Sequence, residues 1–196
     1  AEIARERLTG FGCGEMHPHE ENRSRRGRQV NRRVEFMIVD PPSGTIPFTE
    51  AARRRNAERA QLSNSGLGNS HEDRPLADRC LVGFNSGPPM IPGAYNNNVE
   101  IVQAPGYVVI LNEMVHDARI VPLDGRPRLG IPQKHGDSRG RWDGNTLVVD
   151  TINFAHETSL AGSTARTHLV ERFTRVDADT LLYEFTVDEP TEWTRP

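Results

Sequence analysis

Leu169-Val170-Glu171-Arg172-Phe173-Thr174, then Asp177-Ala178-Asp179, then Leu181-Leu182-Tyr183-Glu184-Phe185-Thr186-Val187 is the stretch whose reading decides the fold. The two outer runs are rich in β-branched and aromatic residues, and the polar triplet between them favours a turn, so together they predict an antiparallel hairpin. Successive side chains of a strand point to opposite faces. Leu181, Tyr183, Phe185 and Val187 therefore share one face, and Leu182, Glu184 and Thr186 share the other. The first face is suited to packing, the second to at least partial contact with water.

Upstream the same signature repeats. Asn96-Asn97-Asn98 leads into Val99-Glu100-Ile101-Val102-Gln103, and a Pro105-Gly106 turn leads into Tyr107-Val108-Val109-Ile110-Leu111, a run suited to a strand covered on both faces. Another strand is expected over residues 118–123, stopping at Asp124-Gly125. Asp143-Gly144-Asn145, set between Trp142 and Thr146-Leu147-Val148-Val149-Asp150, is a strong hairpin signal. Successive hairpins predict a mainly β fold, an antiparallel meander built as a barrel or a sandwich, since closure or stacking disposes of exposed edges. An open barrel interior would gather Glu113, Asp150, Glu171 or Glu184 against aromatic walls, a cavity fit for a small ligand.

The 196 residues suffice for one full domain plus a fragment, not for two large domains. Hydrophobic residues make up 35% and charged residues 26%, and no apolar run approaches the roughly 20 residues that span a bilayer as a helix. The 24 basic and 27 acidic residues leave a formal charge of −3, which provides no global field for nucleic acid. Cys13 and Cys80 leave two readings open, a disulfide in an oxidising compartment or two separate thiols. No signal peptide is visible after Ala1, so the chain is expected to be mature protein or a fragment.

Residues 1–40 end in Val30-Asn31-Arg32-Arg33-Val34-Glu35-Phe36-Met37-Ile38-Val39, which predicts a closing strand, preceded by glycine turns and an arginine-rich loop. The run Arg7-Leu8-Thr9-Gly10-Phe11-Gly12-Cys13-Gly14-Glu15, with Gly27-Arg28-Gln29-Val30-Asn31-Arg32-Arg33-Val34-Glu35-Phe36, resembles the C-terminal end of an OmpA-like peptidoglycan-associated domain. That resemblance implies an N-terminal α+β fragment and an origin in a bacterial envelope, periplasmic or secreted. It does not imply peptidoglycan binding, because the family's peptide-holding aspartate and arginine lie upstream of the matching segment. Residues 41–78 read as a linker with a short helix over 49–62, capped by Thr49 with Glu50 in its first turn. The apolar face of that helix is poor, which suits a solvated helix or linker.

Residues 79–196 form the antiparallel β domain. Its stretches Pro105-Gly106-Tyr107-Val108-Val109-Ile110, His116-Asp117-Ala118-Arg119-Ile120, Gly136-Asp137-Ser138-Arg139-Gly140-Arg141-Trp142 and Val170-Glu171-Arg172-Phe173-Thr174-Arg175-Val176 resemble a set of uncharacterised exported proteins of soil bacteria, notably acidobacteria. In those relatives the chain continues past Trp193-Thr194-Arg195-Pro196, which implies truncation there. The resemblance carries no settled activity, so the residues must supply the chemistry.

Asn112-Glu113-Met114-Val115-His116-Asp117 is the densest polar cluster in strand-like sequence, and unpaired carboxylates are costly to desolvate there. On a strand, Glu113 and His116 would point to opposite faces, which disfavours a two-ligand clamp. The alternative is a strand end whose polar groups bond to neighbouring loops. His135-Gly136-Asp137-Ser138-Arg139-Gly140-Arg141 reads as a glycine-spaced loop that permits close approach by a ligand, or as an ordinary polar hairpin loop. Ser138 lacks a Gly-x-Ser-x-Gly elbow, and the chain has neither HExxH nor CxxC. His17-Pro18-His19 is expected to be solvated.

Two functions fit. The first is a metal-assisted hydrolase of a small ester or lactone such as an acyl-homoserine lactone, supported also by a resemblance to metagenome-derived lactone-degrading proteins. His116 with Asp117, or His135 with Asp137, would activate water. Glu113, Asp137 and Asp150 would hold a divalent cation such as Ca²⁺, and Arg139, Arg141 and Trp142 would bind a small-molecule substrate. The second is a noncatalytic envelope domain that binds a glycan, lipid or small metabolite.

Overall fold

The structure is a computed structural model that describes residues 8–11, 35–38, 49–64, 74, 76–155 and 164–194. The Gly12-Cys13-Gly14 turn, the arginine-rich loop, His17, His19 and His156 lie outside the described residues, so exposed Cys80 is seen without its counterpart. None of the helices among the described residues is long and apolar enough to cross a membrane.

The chain is mainly β. Strands β1 (Leu8–Phe11) and β2 (Glu35–Ile38) pair antiparallel, and the helix α1 (Glu50–Asn64) follows. Then come β3 (Val99–Ala104), β4 (Tyr107–Asn112), β5 (Ala118–Pro122), β6 (Asp137–Asp143), β7 (Thr146–Ile152), β8 (His168–Arg175) and β9 (Leu181–Asp188). They form a three-stranded sheet, β3-β4-β5, and a four-stranded sheet, β6-β7-β8-β9, antiparallel throughout. Of the two closures the hairpins predict, the molecule adopts stacked sheets, not a closed barrel.

The hairpin that opened the sequence reading holds in detail. Leu169 faces Val187, Glu171 faces Phe185 and Phe173 faces Tyr183 across β8 and β9. Leu169, Phe173 and Tyr183 are buried, and Leu181 and Phe185 pack against the same core. Val108, Ile110 and Val121 of the smaller sheet meet Leu147, Val149, Phe173 and Tyr183 of the larger one. Each such side chain contributes about 1.5–3 kcal/mol by leaving water. β4 is covered fully on one face only, since Val108 and Ile110 are buried whereas Tyr107, Val109 and Leu111 are half-buried.

Residues 137–141, expected in a loop, instead form most of β6. Gly140 explains the difference. A Cβ there would lie 2.6 Å from Leu123 Cδ2 and 2.8 Å from Val121 Cγ1, so the glycine serves the close approach of two strands, not a turn. Residues 113–117 likewise leave the strand conformation, because Met114–His116 form a 3₁₀ turn between β4 and β5. The strand geometry applied to Glu113 and His116 therefore does not hold.

Thr49 caps α1 as its position predicts, accepting from the Ala52 amide at 3.2 Å. The first turn is also anchored to distant chain. The Thr49 amide donates to Glu192 O at 2.7 Å, Arg55 pairs with the buried Glu192 carboxylate, and Ala52 is buried.

Candidate functional site

The site lies where residues 83–86, the turn after β4 and the segment before β6 come together. Two glycines make that possible. A Cβ on Gly83 would fall 2.2 Å from Met114 Cγ, so only glycine lets the 3₁₀ turn pack on residues 83–86. Gly136 has φ +68, and a Cβ there would meet Thr151 Cγ2 at 2.5 Å and Ile152 O at 2.8 Å. The segment before it is pinned by the Gln133 amide donating to Asn153 O and the Ala155 amide to Gln133 O, at 3.0 and 2.7 Å.

This geometry brings His135 to Asp117, with Nε2 2.7 Å from Oδ2. The same Oδ2 lies 3.0 Å from the Ser86 hydroxyl, which also sits 3.1 Å from Gly83 O. Ser86 is buried, whereas the His135 and Asp117 side chains keep 22% and 13% exposure, enough for one edge of the pair to meet solvent. Asn112 donates through Nδ2 to Ser86 O at 3.2 Å, and its amide bonds Asp117 O at 2.8 Å, so β4 fixes both partners. Just before Asp117, Val115 and His116 have φ of +51 and +55. A β-branched residue in that region stores about 1–3 kcal/mol of strain, of a kind that collects at functional sites.

The other sequence candidates occupy three different places. His116 is exposed on the turn, and Glu113 accepts from Asn98 Nδ2 at 2.8 Å, as a strand end bonded to a neighbouring loop would. Asp137 is buried at the start of β6, where it accepts from the Leu129 amide at 2.7 Å and pairs with Arg139. Arg139 also donates to Arg126 O at 2.9 Å and Pro127 O at 2.6 Å, which straps residues 126–129 onto β6. Asp150 pairs with Arg128 and with His168 Nε2 at 2.8 Å. Arg141 and Trp142 are exposed towards the end of β6.

Glu113, Asp137 and Asp150 are therefore each engaged elsewhere, and Arg128 bridges the Asp137 carbonyl and the Asp150 carboxylate. No group of three or more cation-ligating side chains occurs among the described residues. The carboxylates named for a cation do not make a donor set for one.

Glu171, expected to line an open cavity, instead belongs to a second polar cluster that is buried and internally paired. Arg119 and Glu171, at 7% and 0% side-chain exposure, form a two-pronged ion pair between the sheets, with Arg119 Nη2 2.9 Å from Glu171 Oε1. Tyr183 donates its hydroxyl to Glu171 Oε1 at 2.6 Å and accepts from the Met90 amide at 3.0 Å. Burial acts to lower the Arg119 pKa, but the charge and hydrogen bonds of Glu171 outweigh it and raise the value. Burial, reinforced by the Glu171 charge, pushes the Tyr183 phenol well above its ordinary range.

The signal for this cluster was present. Arg119 is in phase with Val121, and Glu171 with Leu169 and Phe173, so opposite charges fall on inward positions of two strands. Ser86 gave no comparable signal, because its partner lies 31 residues away in a segment without strand periodicity.

No family model, curated protein or solved structure matches the chain.

Proposed function

We propose that the domain hydrolyses a small ester or lactone, with His135 as general base and Asp117 as the group that orients it. The observation that carries this is the 2.7 Å contact between His135 Nε2 and Asp117 Oδ2 at a partly open edge of the sandwich. With the proton on Nε2 and donated to Asp117, the lone pair on Nδ1 takes a proton from water as the oxygen attacks the carbonyl carbon. The imidazolium, stabilised by Asp117, then returns that proton to the departing alkoxide. Ser86 contacts the carboxylate and not the imidazole, so it steadies Asp117 and is not a nucleophile.

His168 and Asp150 make a similar contact, but Arg128 already neutralises that carboxylate and weakens its support for an imidazolium. A periplasmic or secreted setting belongs to the same proposal and rests on the envelope resemblance of residues 1–40.

The test is acid release from p-nitrophenyl acetate and from a homoserine lactone, followed in a pH-stat. His135→Ala should cut turnover about 10²–10⁴-fold, and Asp117→Asn should also lower it, with folding intact by circular dichroism. His168→Ala should leave turnover unchanged. Turnover that survives in His135→Ala, or that disappears in His168→Ala, would overturn the assignment.

A further inference from the structure

The strands that bound the two stacked sheets differ in what lies beside them. β5 runs beside β6 and β9 beside β1, whereas no described element other than β4 runs beside β3.

The pairing of β3 with β4 fixes which of its backbone groups point away from the sheet. The Glu113 amide donates to Asn98 O at 2.9 Å, one step beyond the facing pair Val99 and Asn112. In an antiparallel ladder, residues that bond to the partner strand alternate with residues whose N–H and C=O point away from it. Glu100, Val102 and Ala104 therefore bond to β4, and Val99, Ile101 and Gln103 turn their amides and carbonyls outward. The far side of β4 keeps the same alternation, with the Asn112 amide donating to Asp117 O at 2.8 Å and the Leu123 amide to Gly106 O at 2.9 Å. No described residue bonds to the outward groups of Val99, Ile101 and Gln103.

Folded proteins commonly guard such an edge with lysine, proline or a bulge. β3 contains none of these. Val99-Glu100-Ile101-Val102-Gln103-Ala104 pairs with β4 without interruption, and Glu100 is its single charge. Glu100 and Val102 share the outer face of the sheet, both exposed.

We propose that β3 pairs edge to edge with β3 of a second copy of the chain, antiparallel about a two-fold axis at Ile101. With Ile101 opposite its own counterpart, Val99 faces Gln103 in both directions, so every outward residue of both strands finds a partner. Glu100 then stands opposite Val102 of the second copy. Moving the axis to Glu100 would set two carboxylates against each other. Moving it to Val102 would set Val99 opposite Pro105, which has no N–H to give. Charge and hydrogen bonding thus select one self-complementary register. Two short edges bury less than a standard interface, so the dimer is weak and depends on concentration. The inference stands independently of the hydrolytic proposal.

Sedimentation equilibrium from about 1 μM to 1 mM protein should show a monomer–dimer equilibrium. The Ile101 and Gln103 amides should exchange with deuterium more slowly at the top of that range than at the bottom. Val102→Glu sets like charges opposite each other twice per dimer and should weaken it about tenfold, whereas Val102→Lys sets opposite charges there and should tighten it. Val102 is 44% exposed, so both variants keep the fold, as circular dichroism should confirm. Val176→Glu, at an apolar position 60% exposed outside β3, should leave the dimer unchanged. A chain that stays monomeric throughout, or a dimer on which Val102→Glu and Val102→Lys act alike, would overturn the proposal. So would a dimer that Val176→Glu disrupts as strongly. Protection of Ile101 and Gln103 that is already complete in the monomer would overturn it too, and would give the edge to another segment of the same chain.

Discussion

Glu171 and Asp117 each contact one nitrogen base and one hydroxyl, yet the first sits between the sheets and the second at their edge. Glu171 has no side-chain exposure, and its cation is an arginine that stays charged at any accessible pH. Nothing in that trio is free to exchange a proton with a substrate. Asp117 holds a histidine, the side chain able to gain and lose a proton near neutrality, and the pair keeps an edge to solvent. Similar bonding therefore serves cohesion in one place and chemistry in the other, and the difference lies in burial and in the identity of the base.

The largest effect should come from breaking the buried trio. Glu171→Ala leaves Arg119 charged and unpaired between the sheets and should cost about 3–5 kcal/mol in urea unfolding. Combining Arg119→Met with Glu171→Leu should recover most of that loss, since removing both charges removes the desolvation problem. If the double variant is as unstable as the single one, the pair does not act as a unit.

At the edge, Gly136→Ala should cost about 2 kcal/mol, because the new Cβ meets Thr151 and Ile152 in a backbone conformation that alanine resists. The same variant should lower turnover by shifting His135, whereas the buried trio and its stability signature should persist. Unaltered turnover in a destabilised Gly136→Ala would separate the positioning of His135 from this glycine.

Alkaline titration sharpens the comparison further. The Tyr183 pKa is raised in the folded state, so its contribution is complete below the unfolded value of about 10. Above that pH the unfolded chain releases the proton first, and stability should fall by up to about 1.4 kcal/mol per pH unit until the folded phenol ionises. Tyr183→Phe should flatten that slope in a pH series of urea midpoints.

The smallest effect should fall on the outer face of the larger sheet. Arg172 and Asp143 are 3.3 Å apart with 42% and 65% side-chain exposure, and Arg172→Ala should change stability by less than about 1 kcal/mol. A loss comparable to that of Glu171→Ala would mean that this face is not exposed in solution.

Much of the architecture was legible from local pattern. β-branched and aromatic runs between turn residues located β3 to β5 and β7 to β9, period-two alternation gave the inward face of the last hairpin, and the short turns Pro105-Gly106 and Gly144-Asn145 appear where their residue types place them. The misread segment, β6, carries glycines whose local meaning is ambiguous. Only the proximity of Val121 and Leu123 shows that Gly140 belongs to a strand.

The candidate site was legible one residue at a time but not as a set. Asp117 and His135 stood out as chemical types, yet sequence paired each with a neighbour in the chain, His116 and Asp137. The fold pairs them with each other across 18 residues and commits Asp137 to Leu129 and Arg139.

What the amino-acid order determined by itself was whatever depends on neighbours along the chain: strand period, turn chemistry, the Thr49 cap and the inward face of the last hairpin. The tertiary structure alone decided which charges are buried together and which histidine meets which carboxylate. Those outcomes depend on how two sheets stack and on three loops meeting at their rim. Contacts between distant segments follow from the packing of the whole chain, and no local spacing encodes them.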